Sequence, residues 1–418
     1  MSSVADVASR ARPGPAEALL RLVRRLGPLH VGILGGLIAL AVALARLYFA
    51  ADGDITRFVV AGDAYVDPDV VEPDVYVNEG SFGYDGQFFW RLAIDPASWE
   101  LSQQHGVHFD NAYRPPRIVY PVMAWVAAGG QPGLVAWTMV GVNVVAVGVV
   151  AGLGALVAQH GSRPALAGML IASTPGLVFA LARDLSDVVT LALLLAGVVA
   201  LLQRRPGLAT IAWCVAVLSR EQVLATIAGY GLWRLWWLLT SEASAESTGL
   251  RRLVPRPRRV DLPWLVPPVV FALWQTVVWV RIGELPLRAG GSNLTAPFGA
   301  LGPTLWDWFR GDMATWDDAT PFQLGLALLL VILAFGWGRR LLEPEDRWIL
   351  VSLVVVVLMA VSLAQPVWDG PADLRQVLDV FALSWVVLLL IPRRIPLTLV
   401  GATAAVWLAT VEPRVLWI

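Results

Sequence analysis

An all-α polytopic membrane protein is the fold class this sequence predicts, and three observations predict it. The 418 residues are 57% hydrophobic and only 15% charged, with a mean hydropathy of +0.65, a balance that excludes an ordinary soluble globular chain. Apolar runs recur from end to end, near 30–50, 133–158, 165–182, 186–203, 207–219, 222–239, 263–280, 322–338, 347–364, 379–392 and 396–411. The arginines follow those runs in phase. Alternating the runs from a cytoplasmic N-terminus puts Arg163, Arg204-Arg205, the cluster Arg251, Arg252, Arg256, Arg258 and Arg259, Arg339-Arg340 and Arg393-Arg394 on one side, as the positive-inside rule requires. The expectation is about eleven spans in the cell membrane, with the C-terminus outside. The run at 207–219 is short of the ~20 residues a crossing helix needs, so it is tilted or continuous with a neighbour.

The 20 tryptophans support the same class, because Trp233, Trp236, Trp237, Trp264, Trp279 and Trp417 stand near run ends, where an interfacial aromatic belt places them. All 31 basic residues are arginine. With a net charge of -1, that bias fits a GC-rich coding sequence better than a nucleic-acid partner. Cys214 is the only cysteine and lies inside an apolar run, so no disulfide forms within the chain.

The segments divide as follows. Residues 1–29 form a cytoplasmic N-terminal segment with Arg10, Arg12, Arg21, Arg24 and Arg25. The charged region is long and no small-residue cleavage site follows the first apolar run, so an uncleaved helix is expected rather than a signal peptide. Residues 30–240 make a transmembrane core that includes a long external loop at 51–132. An Arg/Pro-rich cytoplasmic linker follows at 241–262, and 263–418 is a C-terminal transmembrane region. The alternation places 51–132, the Arg183–Asp187 turn, 281–321 and 365–378 on the outer side. Within the first loop, 118–129 is apolar but too short to span and reads as an interfacial helix.

The chemistry concentrates in that loop and in three charged breaks. Phe82-Gly83-Tyr84-Asp85-Gly86-Gln87-Phe88-Phe89-Trp90-Arg91 sets a carboxylate, an amide and an arginine among aromatics. A carboxylate at an apolar boundary is expected to have a raised pKa, which suits a general base. Gln87 can hydrogen-bond a hydroxyl-rich ligand, and Arg91 is placed to pair with Asp85 or Asp95. The competing structural reading makes Asp85 a helix N-cap. Arg183-Asp184-Leu185-Ser186-Asp187 and Ser219-Arg220-Glu221-Gln222 interrupt apolar sequence, where ionisable groups either line a site or salt-bridge one another. Arg375, among Asp369, Asp373 and Asp379, is the third break, and Arg114-Pro115-Pro116-Arg117 precedes the interfacial segment. Forked guanidiniums recognise phosphate bidentately, so an acidic base among Arg114, Arg117, Arg183, Arg220 and Arg375 suits a lipid-phosphate donor.

The run from Gly83 to Pro96, followed by Tyr113-Arg114, Arg117-Ile118 and Tyr120-Pro121, resembles the pattern of GT-C glycosyltransferases. It is most similar to the GPI mannosyltransferase-like branch and to bacterial membrane proteins of cell-surface glycopolymer formation. Pro175-Gly176, Arg183-Asp184-Leu185-Ser186-Asp187 and Leu218-Ser219-Arg220-Glu221 resemble later signatures of the group, in the same order. The resemblance covers about residues 30–240. It implies a GT-C-like bundle, a polyprenyl-phosphate sugar donor, an envelope glycan or lipid acceptor, inverting transfer and an external-loop Asp as base. The donor-binding set it suggests is Tyr84, Gln87, Arg91, Arg114, Arg117, Arg183, Asp184, Asp187, Arg220, Glu221 and Arg375. Two departures keep the base open between Asp85 and Asp54. Tyr84 stands where the eukaryotic branch has Trp, and other branches put the acid just after the first span, where this chain has Asp52-Gly53-Asp54.

No cofactor is implied. His105 and His108 stand in an acidic loop and read as solvated, and no Walker, dinucleotide or zinc signature occurs. Two other classes stay open: a secondary transporter or flippase, and a non-catalytic GT-C-like partner of an envelope-glycan assembly.

Overall fold

The computed structural model describes residues 25–240, 258–289, 293–312, 319–368 and 374–416. Arg10, Arg12, Arg21, Arg24, Arg251, Arg252, Arg256, Asp369, Asp373 and most of the 241–262 linker lie outside the described residues. About 70% of the described residues are helical. The longer helices are α1 (Pro28–Phe49), α2 (Gly86–Ile94), α3 (Val119–Ala127), α4 (Val135–His160), α5 (Pro175–Ala182), α6 (Asp187–Leu202), α7 (Pro206–Ser219), α8 (Val223–Thr240), α9 (Leu262–Ile282), α10 (Leu301–Arg310), α11 (Thr320–Leu341), α12 (Trp348–Val361), α13 (Leu378–Leu390) and α14 (Leu397–Leu416). Among the described residues, the only sheet is a parallel pair of two-residue strands in the first loop, β1 (Ala61–Gly62) and β2 (Val77–Asn78).

Every apolar run of the sequence carries helix, yet fewer of these helices qualify as spans than the about eleven expected. Among the described residues four are long and apolar enough, Pro28–Phe49, Pro132–His160, Arg259–Ile282 and Thr320–Leu341. Ala165–Ala172 and Pro175–Ala182, bent by 61°, make a fifth if taken together. The described residues thus hold four to five helices able to cross a membrane, which fits a helical membrane protein. The shortfall has a local cause. Arginine, aspartate and proline at the breaks end α6 and α7 early; at 1.5 Å per residue a 16-residue helix covers ~24 Å, less than the ~30 Å hydrocarbon core. Arg234 together with Trp233, Trp236 and Trp237 dilutes the hydropathy of α8.

Small residues let the spans close on one another. A Cβ on Gly35 of α1 would meet Ala151 Cβ of α4 at 2.5 Å, and one on Gly148 would meet Gly32 O at 2.9 Å. Without a hydrophobic drive between helices in lipid, such close backbone approach is what holds them. Leu37, Leu44 and Ile33 on α1 face outward instead, as a lipid-facing surface requires.

Charge gathers at the two ends of the bundle. At one end Arg163 donates to the carbonyls of Leu388, Leu389 and Ile391, capping α13, while Arg204 pairs with Glu345 and His160 approaches Asp346. At the other end stand Asp187 and Arg375, the opposite termini of α6 and α13.

The first loop is a packed cap over that second end. All nine residues of α2 are buried; Phe88 stacks on Phe109 and Phe89 meets Tyr120 edge-on. Helix α3 is half-buried, with Tyr120, Pro121 and Ala124 inside and Met123, Trp125 and Val126 outside. The loop threads its own backbone tightly. Gly83 has a positive φ of 61° and lets Tyr84 N reach Val60 O at 2.8 Å. Gly86 leaves no room for a side chain, because a Cβ there would stand 2.6 Å from both Arg183 O and Val59 O.

Gly86→Ala therefore pushes α2 off the Arg183 turn, at a cost of about 1–3 kcal/mol. The thermal midpoint in detergent falls, whereas Gly133→Ala, which meets nothing within 4 Å, melts as wild type. Equal midpoints for the two variants would refute this packing.

Candidate functional site

The site is assembled from five places in the chain. Asp85 stands at the N-cap position of α2, Arg114 and Arg117 precede α3, and Asp187 opens α6. Arg220 and Glu221 make the break between α7 and α8, and Arg375 opens the 3-10 turn Arg375–Val377 that leads into α13. Each backbone break has a sequence cause. Asp184 takes a positive φ of 48°, which aspartate tolerates better than most residues, and so reverses the chain between α5 and α6. Gly176 lets α5 approach the 375 turn, since a Cβ there would lie 2.7 Å from Arg375 Cα.

The side chains form one continuous chain of ion pairs. Arg114 pairs with Asp85 Oδ1. Arg375 donates through Nη2 to Asp85 Oδ2 and through Nη1 to Asp187 Oδ2, both at 3.2 Å. Arg220 pairs with Asp187 Oδ1 and donates to Gln376 Oε1 at 2.8 Å. Beside this chain, Arg117 holds Glu221 with two bonds, of 2.7 and 3.3 Å, and the Tyr113 hydroxyl donates to the same carboxylate at 2.8 Å. Aromatic faces back the guanidiniums: Arg114 over Phe88 and Arg117 over Tyr113, each at 4.2 Å, and Arg375 over Tyr84 at 5.0 Å. The exposure is graded. The Asp187 side chain is 1% exposed and that of Arg220 4%, whereas Asp85 and Arg114 reach 16% and 21%.

Two expectations about Asp85 are corrected by this geometry. Its side chain makes no capping hydrogen bond to α2, being occupied by Arg114 and Arg375. Nor is its pKa raised: burial pushes the carboxyl up, but the guanidiniums of Arg114, Arg375, Arg117 and Arg220 outweigh burial and hold it well below the usual carboxylate range.

The other predicted residues fall into four groups. Asp187, Arg220, Arg375, Arg114, Arg117 and Glu221 join Asp85 directly or through the adjoining pair. Tyr84 and Arg183 flank it, with the Arg183 guanidinium 4.0 Å from the Phe179 ring and 5.8 Å from that of Tyr84. Asp184 lies in a buried polar knot where it accepts from Tyr120 at 3.3 Å, and Asn143 donates to Tyr120 at 3.0 Å. Three residues serve the loop itself. Gln87 accepts from Gly62 N and donates to Phe82 O, so its amide is spent on backbone rather than offered to a ligand. Arg91 pairs with neither Asp85 nor Asp95 by hydrogen bond; it donates to the carbonyls of Glu100, Ser102 and Val107 and lies 4.2 Å from the Phe109 ring. Burial draws the Arg91 guanidinium down to about 10, with Glu100 and Asp95 opposing. Asp54 caps the turn Ile55–Phe58 through Thr56 N and Oγ1.

Asp110, Tyr113 and Gln376 belong to the site and were not picked out as site residues from sequence. Asp110 stands four residues before Arg114 in the same short turn, and Gln376 follows Arg375; those adjacencies were the available signals. Among the described residues no group of three His, Cys, Asp or Glu is arranged to hold a metal ion. The chain matches no family model and no curated protein.

Chemically, the cluster is an alternation of guanidiniums and carboxylates in which Arg114, Arg117, Arg220 and Arg375 are ion-paired. Burial raises the Glu221 carboxyl and Arg117 outweighs it, drawing it down to about 2. A depressed carboxylate stabilises the fold above its unfolded pKa of about 4.3 and loses that contribution as pH falls toward about 2. Glu221→Gln therefore lowers the thermal midpoint at pH 7, and its deficit against wild type shrinks as pH drops below about 4. A deficit independent of pH would contradict the Arg117–Glu221 pairing.

Proposed function

We propose that the protein is a GT-C-type glycosyltransferase of the cell membrane. It moves a hexosyl or pentosyl unit from a polyprenyl-phosphate donor to an envelope glycan or lipid acceptor at the outer leaflet. The observation that carries this reading is a carboxylate, Asp85, standing between two guanidiniums at the edge of a cap that closes one end of a membrane bundle. The arginine alternation supports a cytoplasmic N-terminus, an external C-terminus and the cap on the outside.

In the proposed reaction Asp85 takes the proton of the acceptor hydroxyl as that oxygen bonds to the anomeric carbon. The bond from that carbon to the donor phosphate oxygen breaks on the opposite face, and the electron pair leaves with polyprenyl phosphate. The configuration inverts and no covalent enzyme intermediate is needed. Guanidiniums of Arg114, Arg220 and Arg375, with Arg183 beside them, stabilise the charge developing on the leaving phosphate. Arg117 and Glu221 hold the wall next to them.

A transporter reading is less well supported, because ligand sites of secondary transporters lie near the midplane between repeats, whereas these charges collect at one end. A GT-C-like partner that has lost its chemistry differs from an enzyme only in turnover.

Purified protein in liposomes, offered a panel of polyprenyl-phosphate sugars, is expected to release polyprenyl phosphate and glycosylated acceptor. Asp85→Asn loses about 10²–10⁴-fold in rate, as removal of a positioned base does, and Asp54→Asn stays near wild type. An active Asp85→Asn with an inactive Asp54→Asn would move the base to Asp54. No transfer from any donor would leave the transporter or partner reading.

A further inference from the structure

Arg114 and Arg375 do not depend on Asp85 for their placement. Arg114 is gripped separately by Asp110, through Nε–Oδ1 at 2.9 Å and Nη2–Oδ2 at 3.2 Å, and rests on Phe88. Arg375 is held by Asp187 and faces Tyr84. The Nε atoms of Arg375 and Arg220 are buried and make no hydrogen bond among the described residues. Asp187, by contrast, is enclosed and engages one arginine with each oxygen. The two carboxylates thus differ in kind. Asp187 is a fixed anchor, and Asp85 is the outer, part-exposed occupant of a fork that other residues already hold in place.

The balance of charge points the same way. Four guanidiniums, Arg114, Arg117, Arg220 and Arg375, are joined by ion pairs to four carboxylates, Asp85, Asp110, Asp187 and Glu221. Moving Asp85 aside uncovers one positive charge between two forked donors, the arrangement that bidentate phosphate binding uses.

We propose that Arg114 and Arg375 form a phosphate subsite in which the Asp85 carboxylate is the resident counterion, and that an incoming phosphate displaces it. The exchange frees Asp85 to act as a base only when a phosphate ligand is bound. This second step rests on the transferase reading; the subsite itself does not. A competing internal carboxylate reduces apparent affinity by the fraction of time the fork is open.

The test is binding without turnover, using dodecyl phosphate, inorganic phosphate and the neutral dodecyl maltoside as probes. Asp85→Asn and Asp85→Ala should each bind phosphate about tenfold or more tightly than wild type, the size expected if the fork is free a tenth of the time or less. Adding Arg375→Gln to either should abolish the gain, and dodecyl maltoside should show none. Tighter binding of dodecyl than of inorganic phosphate identifies a lipid-linked ligand, and equal binding identifies a free one; both support the subsite. Unchanged or weaker binding in both Asp85 variants overturns it, whether or not the protein transfers sugar. Carbodiimide modification of Asp85, read by peptide mass spectrometry, should rise when dodecyl phosphate is added to wild type. If phosphate binds with no rise, the exchange is refuted while the transferase reading stands.

Discussion

Arg375 bridges two carboxylates, Asp85 of the first loop and Asp187 of α6, and much of the loop end of this protein is arranged around that bridge. Charges at the end of an apolar bundle are costly unless paired and hydrogen-bonded. Here pairing links segments far apart in sequence: the loop through Asp85 and Arg114, the α7–α8 break through Arg220, and the 375 turn. Together with the Arg117–Glu221 pair and the Tyr120–Asp184 bond, these contacts hold the cap to the bundle. Removing Asp187 would take a partner from two buried guanidiniums at once, those of Arg220 and Arg375, whereas the two arginines on Asp85 keep Asp110 and Asp187.

The backbone around the network is built to bring its members close. Gly86 lies against Arg183 O and Val59 O, Gly176 lies against the 375 turn, and Asp184 turns the chain between α5 and α6. Gln87 and Arg91, polar residues in a helix with no exposed face, spend their side chains on loop carbonyls and an amide. Their chemistry is that of a frame. The result is a rigid support under Asp85, the condition a positioned carboxylate needs.

Much of this was legible in the sequence. Hydropathy and arginine phase gave the helices, and ionisable residues in apolar surroundings marked Asp187, Arg220 and Arg375, because such residues have few other ways to be tolerated. What the sequence did not show was direction and partner. The spacing of Arg91 from Asp85 is compatible with pairing, yet its guanidinium turns inward to three carbonyls. The aromatics around Asp85 suggested desolvation and a raised pKa, whereas arginines contributed from three distant segments reverse the sign. Apolar runs also outnumber the described helices long enough to cross, since composition alone does not reveal where charged breaks shorten a helix below the membrane thickness.

The most direct test is a double-mutant cycle on Asp85 and Arg375, measured as thermal or denaturant stability of the purified protein. If Arg375 joins the cap to the bundle through Asp85, then Asp85→Asn and Arg375→Gln are strongly non-additive, with a coupling of about 1–3 kcal/mol. Additivity within about 0.5 kcal/mol would mean that the two side chains do not interact, and the account of the site built on their contact would fail.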